Sequence, residues 1–292
     1  MDRYLVENLF GIEGLNVAWY GCIIGIGLVL GMLIAMRRAT EKGYKSEMLI
    51  DFLLYAIPIA VVCARLYYVV FEWDYYSQHL NKIIAINEGG IAIYGAVLGG
   101  IATAFVFCKI KKVSFIRLLD IVIPGLVIGQ AIGRWGNFVN QEAFGEMITN
   151  PNLQFFPLGV YIERLGEWHQ ATFFYESSWN FVLLILMLVV SRKTTKDGMM
   201  IGMYFTIYGL GRFLIEGLRT DSLYMFAGIR VSQMLSLVLI AIGIIIFILI
   251  KNDKLQVNNS LRGYIIADMK EDDNSQSEIE LNDDENKVGD KE

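Results

Sequence analysis

Apolar residues fall into seven long runs along the chain, at about 17–36, 48–71, 90–107, 115–134, 172–190, 199–218 and 231–250. Each approaches the roughly 20 mostly apolar residues that an α-helix needs to cross a bilayer. In lipid only helices and closed barrels satisfy every backbone N–H and C=O, and runs of this length suit helices better than barrel strands. The pattern predicts an all-α polytopic membrane protein with seven transmembrane helices in a domain at 1–252. The fourth and sixth runs are the least purely apolar.

The polar stretches between the runs predict an orientation. Arg37, Arg38, Lys42 and Lys45 follow the first run, and Lys109, Lys111, Lys112 and Arg117 follow the third. Arg192, Lys193 and Lys196 follow the fifth, and Lys251 and Lys254 the seventh. The alternate loops hold Lys82, Arg164, and the pair Arg219 and Arg230. Basic loops stay cytoplasmic, so the N-terminus is expected outside and the C-terminus inside. The segment 140–171, with Pro151 and Pro157 and many Asn, Gln, Phe and Gly, is too polar to span. It is expected to form an external cap or an interfacial element.

Composition agrees with the runs: 55% of the 292 residues are hydrophobic, and only 19% are charged against about 25% in a soluble domain. The formal charge of -5 comes from the end of the chain. Residues 271–292 carry ten Asp or Glu and two Lys, so the rest is mildly basic. The acidic stretch at 253–292 is expected to be a disordered, solvated cytoplasmic tail. Cys22, Cys63 and Cys108 each lie in an apolar run and read as small hydrophobes, with no disulfide or zinc spacing. The opening MDRYLVENLFGIEGLNV lacks a basic region leading into an apolar one, so no cleavable signal peptide is expected.

Charged residues inside a membrane helix are costly and face a cavity or a partner. Arg134 lies in GQAIGRWGNFVNQEAFG and Arg212 in YFTIYGLGRFLIEGLRTDS. Counted from the cytoplasmic starts of their runs, at about 1.5 Å per residue, both fall in the outer part of the layer. Tyr208, Arg212 and Glu216 repeat every four residues, and with Arg219 they are expected on one helical face. An Arg212–Glu216 pair that only neutralises itself is the plain structural alternative. Gly133 and Gly136 bracket Trp135, where they can break or tighten the helix and expose backbone N–H groups to an anion. Asn137, Asn140, Glu142 and Gly145 follow. Tyr20 and Tyr94 sit near the outer starts of the first and third runs. Either tyrosine alone suits an interfacial belt. Together these residues send polar groups from four runs to one depth.

Two arginines in a low-dielectric layer suit an anion, and their forked donors suit a phosphate, hence a lipid phosphate. No Asp/Glu pattern for a divalent metal and no GxSxG or Ser–His pair is present. No metal, cofactor or nucleic-acid partner is expected. An anion or phospholipid transporter using the same arginines is the competing reading, though no repeat divides the chain into two halves.

At these residues the chain resembles the prolipoprotein diacylglyceryl transferases. The stretch GRWGNFVNQEAFG is similar to that family's defining signature. AWYG around Tyr20, ARLYYVVFEW, GGIAIYGAVLGG around Tyr94 and YGLGRFLIEGLR add to the resemblance, which covers all but the tail. It implies transfer of the diacylglyceryl group of phosphatidylglycerol to the lipobox cysteine thiol of a preprolipoprotein. Glycerol-1-phosphate leaves and a thioether forms. It implies seven helices in a bacterial cytoplasmic membrane, with catalysis toward the outer leaflet. Arg134 and Arg212 match the family's essential arginines, and Asn137, Asn140, Glu142 and Gly145 its signature positions. Tyr20, Tyr208, Glu216 and Arg219 match further functional positions. For the base that deprotonates the thiol, Glu142, Glu216 and Tyr94 all stand as candidates. Two stretches depart from the family. Many members carry a histidine where this chain has Tyr94. In HQATFFYE, which resembles the family's H-P-T-x-x-Y-E, Gln170 and Ala171 replace His and Pro, and His169 comes one position early.

Overall fold

The apolar runs do become helices in the computed structural model, which describes residues 4–8, 11, 16–86, 89–194, 196–220, 230–252 and 254–255. Among the described residues six helices are long and apolar enough to cross a membrane. They are α1 (Trp19–Glu41), α2 (Glu47–Phe71), α4 (Ile93–Lys111), α5 (Phe115–Val139), α6 (Thr172–Ser191) and α9 (Val231–Lys251). A short turn, α3 (Trp73–Tyr76), follows α2. The sixth run differs. It is α7 (Met199–Met203), a π-helical turn over Tyr204–Tyr208, and α8 (Gly209–Glu216). The tail expected over 253–292 lies almost wholly outside the described residues.

The described residues divide into two units, one within 1–35 and 119–257, the other within 36–118. In the first, the two-residue strand β2 (Val17–Ala18) pairs antiparallel with β1 (Tyr4–Val6) and leads straight into α1. Glycines then let helices approach closely. A Cβ on Gly31 would come within 2.5 Å of the Gly125 carbonyl oxygen, and Gly27 faces Gly129 at 3.4 Å. Without a hydrophobic driving force between helices in lipid, backbone-to-backbone packing of this kind is what associates them. The same device joins α8 to α9, where a Cβ on Gly209 would meet the Ser236 carbonyl at 3.2 Å.

The start of α7 is fixed from α5. Asp120, fully buried, accepts the N–H groups of Gly198 at 2.7 Å and Ile201 at 3.1 Å. A carboxylate at the positive end of a helix satisfies donors that have no intrahelical partner. The π turn is also held by a side chain. Trp179 of α6 lies against Gly211 and donates its indole N–H to the Ile207 carbonyl at 2.9 Å. A π turn widens the helix by one residue and leaves carbonyls misaligned, and the indole satisfies one of them.

The segment 140–171 is a small β-structured element rather than a span. β3 (Gly159–Ile162) and β4 (Glu167–Gln170) form an antiparallel hairpin with Val160 opposite His169. Residues Gly145 to Ile148 run along β4: the Gly145 N–H donates to Gln170, and the Ile148 N–H to Trp168.

In the second unit, α2 and α4 pack through Gly95 and Gly99. A Cβ on Gly99 would come within 2.7 Å of the Cys63 Cβ. Buried Arg65 of α2 ties the following loop by backbone carbonyls alone. Its Nε donates to Ile83 at 2.8 Å, Nη1 to Gly89 at 2.6 Å and Gly90 at 2.7 Å, and Nη2 to Lys82 at 2.6 Å and Ala85 at 3.3 Å. The guanidinium also lies 5.1 Å from the centre of the Tyr76 ring. All three cysteines are free, Cys108 buried and the other two half-buried.

Candidate functional site

α5 continues through Gly133, Trp135 and Gly136 to Val139, so the glycines do not break the helix. The glycines serve packing instead. The Tyr20 ring, in the first turn of α1, lies on Gly136, where a Cβ would come within 2.7 Å of it. Trp135 donates to Ser177 of α6 at 3.1 Å, and Ser177 donates back to the Ala131 carbonyl at 2.8 Å. The Phe138 and Phe173 rings stack at 4.9 Å. These contacts set α5 against α6 and fix the azimuth of Arg134.

Arg134 meets a residue that the sequence reading left out of the site. Glu176, in the second turn of α6 and 5% exposed, binds Arg134 Nη2 through Oε2 at 2.6 Å. Its Oε1 lies 2.9 Å from Arg212 Nη1 and 3.6 Å from Arg219 Nη1. One carboxylate therefore gathers three guanidinium groups. Arg212 Nη2 reaches Glu216 at 2.7 Å, and Glu216 also accepts from Ser232 of α9 at 2.8 Å. The expected Arg212–Glu216 pair exists, but as one edge of a larger network. The one signal of Glu176 in the sequence is its place as the last residue of HQATFFYE.

Arg219 does not share the helical face of Arg212. α8 ends at Glu216, the chain turns, and Arg219 forms an antiparallel bridge with Gly145. The Glu146 N–H donates to the Leu218 carbonyl at 3.2 Å beside it. Gly145 is required there, since a Cβ would sit 2.8 Å from Gln170 Cβ and 2.9 Å from the Leu218 oxygen. The bridge thus joins the signature segment to the end of α8.

The amides extend the network outward. Arg134 donates to Asn137 Oδ1 at 3.2 Å, and Asn137 Nδ2 donates to Glu142 Oε1 at 2.9 Å. Asn140 adds a donor to the same oxygen at 3.3 Å. Glu142 is exposed and sits between Gln141 at φ +49° and Ala143 at φ +55°, so the chain turns sharply around it. Left-handed backbone at two non-glycine residues costs of order 1 kcal/mol each. The Thr172 hydroxyl holds the turn by donating to the Ala143 carbonyl. Beneath Arg134, Gln130 donates to the Tyr204 hydroxyl at 2.8 Å, and the Tyr204 and Tyr208 rings stack at 4.7 Å. Tyr94 lies in the other unit, exposed, with its ring 6.4 Å from that of Tyr67.

Three guanidiniums gather on one buried carboxylate, Glu176, and a second buried carboxylate, Glu216, meets Arg212. The arginine side chains keep 13–23% exposure while the carboxylates keep 5% or less. The cationic side of the network is therefore the reachable one. An arrangement of this kind holds an anion and stabilises negative charge as it develops. Among the described residues no group of three or more His, Cys, Asp or Glu could hold a metal.

Residues 7–249 match the family model described as prolipoprotein diacylglyceryl transferase. The phosphatidylglycerol–prolipoprotein diacylglyceryl transferase of Bacillus velezensis is 46% identical over 243 residues, covering 82% of this chain and 90% of the relative. The transferase of the same name from Lysinibacillus sphaericus is 44% identical over 253 residues, or 84% and 93% of the two chains. That from Listeria welshimeri is 47% identical over 239 residues, or 80% and 86%. With a family model matching residues 7–249 and relatives 44–47% identical, the chain belongs to the prolipoprotein diacylglyceryl transferase family.

Proposed function

We propose that the chain transfers the diacylglyceryl group of phosphatidylglycerol to the lipobox cysteine of preprolipoproteins, the first step of bacterial lipoprotein maturation. The cysteine sulfur, as thiolate, attacks the diacylglycerol carbon that carries the phosphate ester. A C–S bond forms, that C–O bond breaks, and glycerol-1-phosphate leaves with the electron pair. The observation that carries this reading is the convergence of Arg134, Arg212 and Arg219 on Glu176, with each arginine side chain more exposed than the carboxylate they share.

Arg134 and Arg212 hold the phosphate and stabilise the leaving oxygen, with Arg219 and Tyr208 beside them. Asn137, Asn140 and Gly145 shape the wall that the headgroup meets, and Tyr20 closes the α1 side. The same positive field favours the thiolate form of the incoming cysteine. Of the candidate bases, Glu142 is open to an arriving thiol, whereas Glu216 is closed in by Arg212 and Ser232. Tyr94 is the third candidate. Turnover that survives Glu142→Gln and Glu216→Gln separately would remove both as sole base.

In this reading the stretch 199–216 is the seventh span. Its 18 residues cover about 27 Å, near the thickness of a hydrocarbon core. The N-terminus then lies outside the cytoplasmic membrane, the C-terminus inside, and the arginine network toward the outer leaflet, where translocated substrates arrive. The alternation of basic loops supports this orientation.

The test combines purified protein in detergent, phosphatidylglycerol and a lipobox peptide with one cysteine, read by mass spectrometry. The expected product is a peptide carrying one diacylglyceryl group, with glycerol phosphate released. An unmodified peptide from folded protein that still binds phosphatidylglycerol would overturn the transferase reading in favour of a phospholipid carrier.

A further inference from the structure

His169 is one of two histidines in the chain, and no step above uses it. It is almost wholly buried, its side chain 8% exposed. Its Nδ1 lies 2.8 Å from the Gly145 carbonyl oxygen, which can only accept, so Nδ1 carries a proton and donates. Nε2 faces a Glu167 carboxylate oxygen at 3.3 Å. The ring lies 4.6 Å from that of Phe144, over which the Arg164 guanidinium sits at 5.5 Å. Three contacts therefore fix the ring, and one of them grips the backbone of the signature segment.

Gly145 is also where that segment bridges Arg219, whose guanidinium stands 3.6 Å from Glu176. Gly145 has no side chain of its own to hold it. Its N–H donates to Gln170, which leaves its carbonyl to the imidazole. We infer that His169 is a positioning residue: by donating from Nδ1 to the Gly145 carbonyl it sets the bridge that places Arg219 in the phosphate-binding network. The histidine one step earlier than the family's usual position thus has its own task, on the signature backbone rather than on substrate. The inference rests on the proposed transferase activity.

The two ring nitrogens can be separated by substitution, because an asparagine amide reaches the place of Nδ1 and a glutamine amide the place of Nε2. The full chain is assayed for transfer with phosphatidylglycerol and a lipobox peptide. The expected result for His169→Asn is kcat and KM within about threefold of wild type. His169→Gln is expected to raise KM for phosphatidylglycerol about tenfold with little change in kcat, the mark of lost lipid positioning. Glu167→Gln, which spares the Nδ1 contact, is expected to keep the wild-type KM. Equal kinetics for the Asn and Gln variants would overturn the inference. So would a Glu167→Gln variant that reproduces the rise in KM, an outcome that does not depend on the histidine variants folding. Absence of transfer by the wild-type protein would overturn the proposed function, and the inference with it, and is seen without any variant.

Discussion

Each of the two units buries arginine, and they do so in opposite ways. Arg65 directs its donors to five backbone carbonyls of one loop. Those acceptors are fixed by the chain itself, so the guanidinium acts as a staple. Arg134, Arg212 and Arg219 meet side-chain carboxylates instead, and all three converge on Glu176. A carboxylate can share or yield a guanidinium to another anion, whereas a loop of backbone carbonyls cannot leave without unfolding. The contrast separates an arginine that builds architecture from arginines that can take a ligand.

The sharpest way to break the comparison is to treat both kinds alike. Arg212→Ala, or Arg134→Ala, is expected to lower kcat/KM by about 10²–10³-fold, since truncating one partner of a buried charge pair costs about 2–5 kcal/mol. Lysine at either position should recover little, because it lacks the fork. The check is the peptide transfer assay, with thermal unfolding as a control for folding. Arg65→Leu should act on stability and not on lipid recognition. A loss of about 2–3 kcal/mol, seen as a lower melting temperature in detergent, is expected with KM for phosphatidylglycerol unchanged. An Arg65 variant with normal stability but weakened lipid use would erase the distinction. The smallest effect should come from Glu176→Gln, which keeps the shape but removes the charge that competes for the guanidiniums. Here KM for phosphatidylglycerol is expected to fall while kcat drops about tenfold, because the arginines bind the anion more freely but are less well oriented.

What was legible in the sequence follows the same physics. The apolar runs found α1, α2, α4, α5, α6 and α9 to within a few residues at most ends, because lipid exposure demands long apolar stretches whatever the tertiary fold. Arg134, Arg212 and Glu216 were visible as charges out of place. Glu176 was visible only as part of a motif, since a single carboxylate near a helix start looks like an ordinary terminus until three arginines are seen around it. Arg219 was placed on the wrong structure because sequence spacing extends a helix that Gly217 and the bridge to Gly145 end. The π turn carries no local signature. The indole of Trp179 holds it from another helix, and only tertiary contact reveals it.

That extra residue within Tyr204–Tyr208 sets a phase. An α-helix advances about 100° per residue, so one residue more or less rotates everything beyond it by over a quarter turn. Met199–Met203 and Gly209–Glu216 are therefore out of step with a continuous helix, and Arg212 and Glu216 point where they do because of the offset. The stretch behaves like a keyed shaft: many substitutions within it leave the key in place, but a change in its length by a single residue turns the arginine away from Glu176.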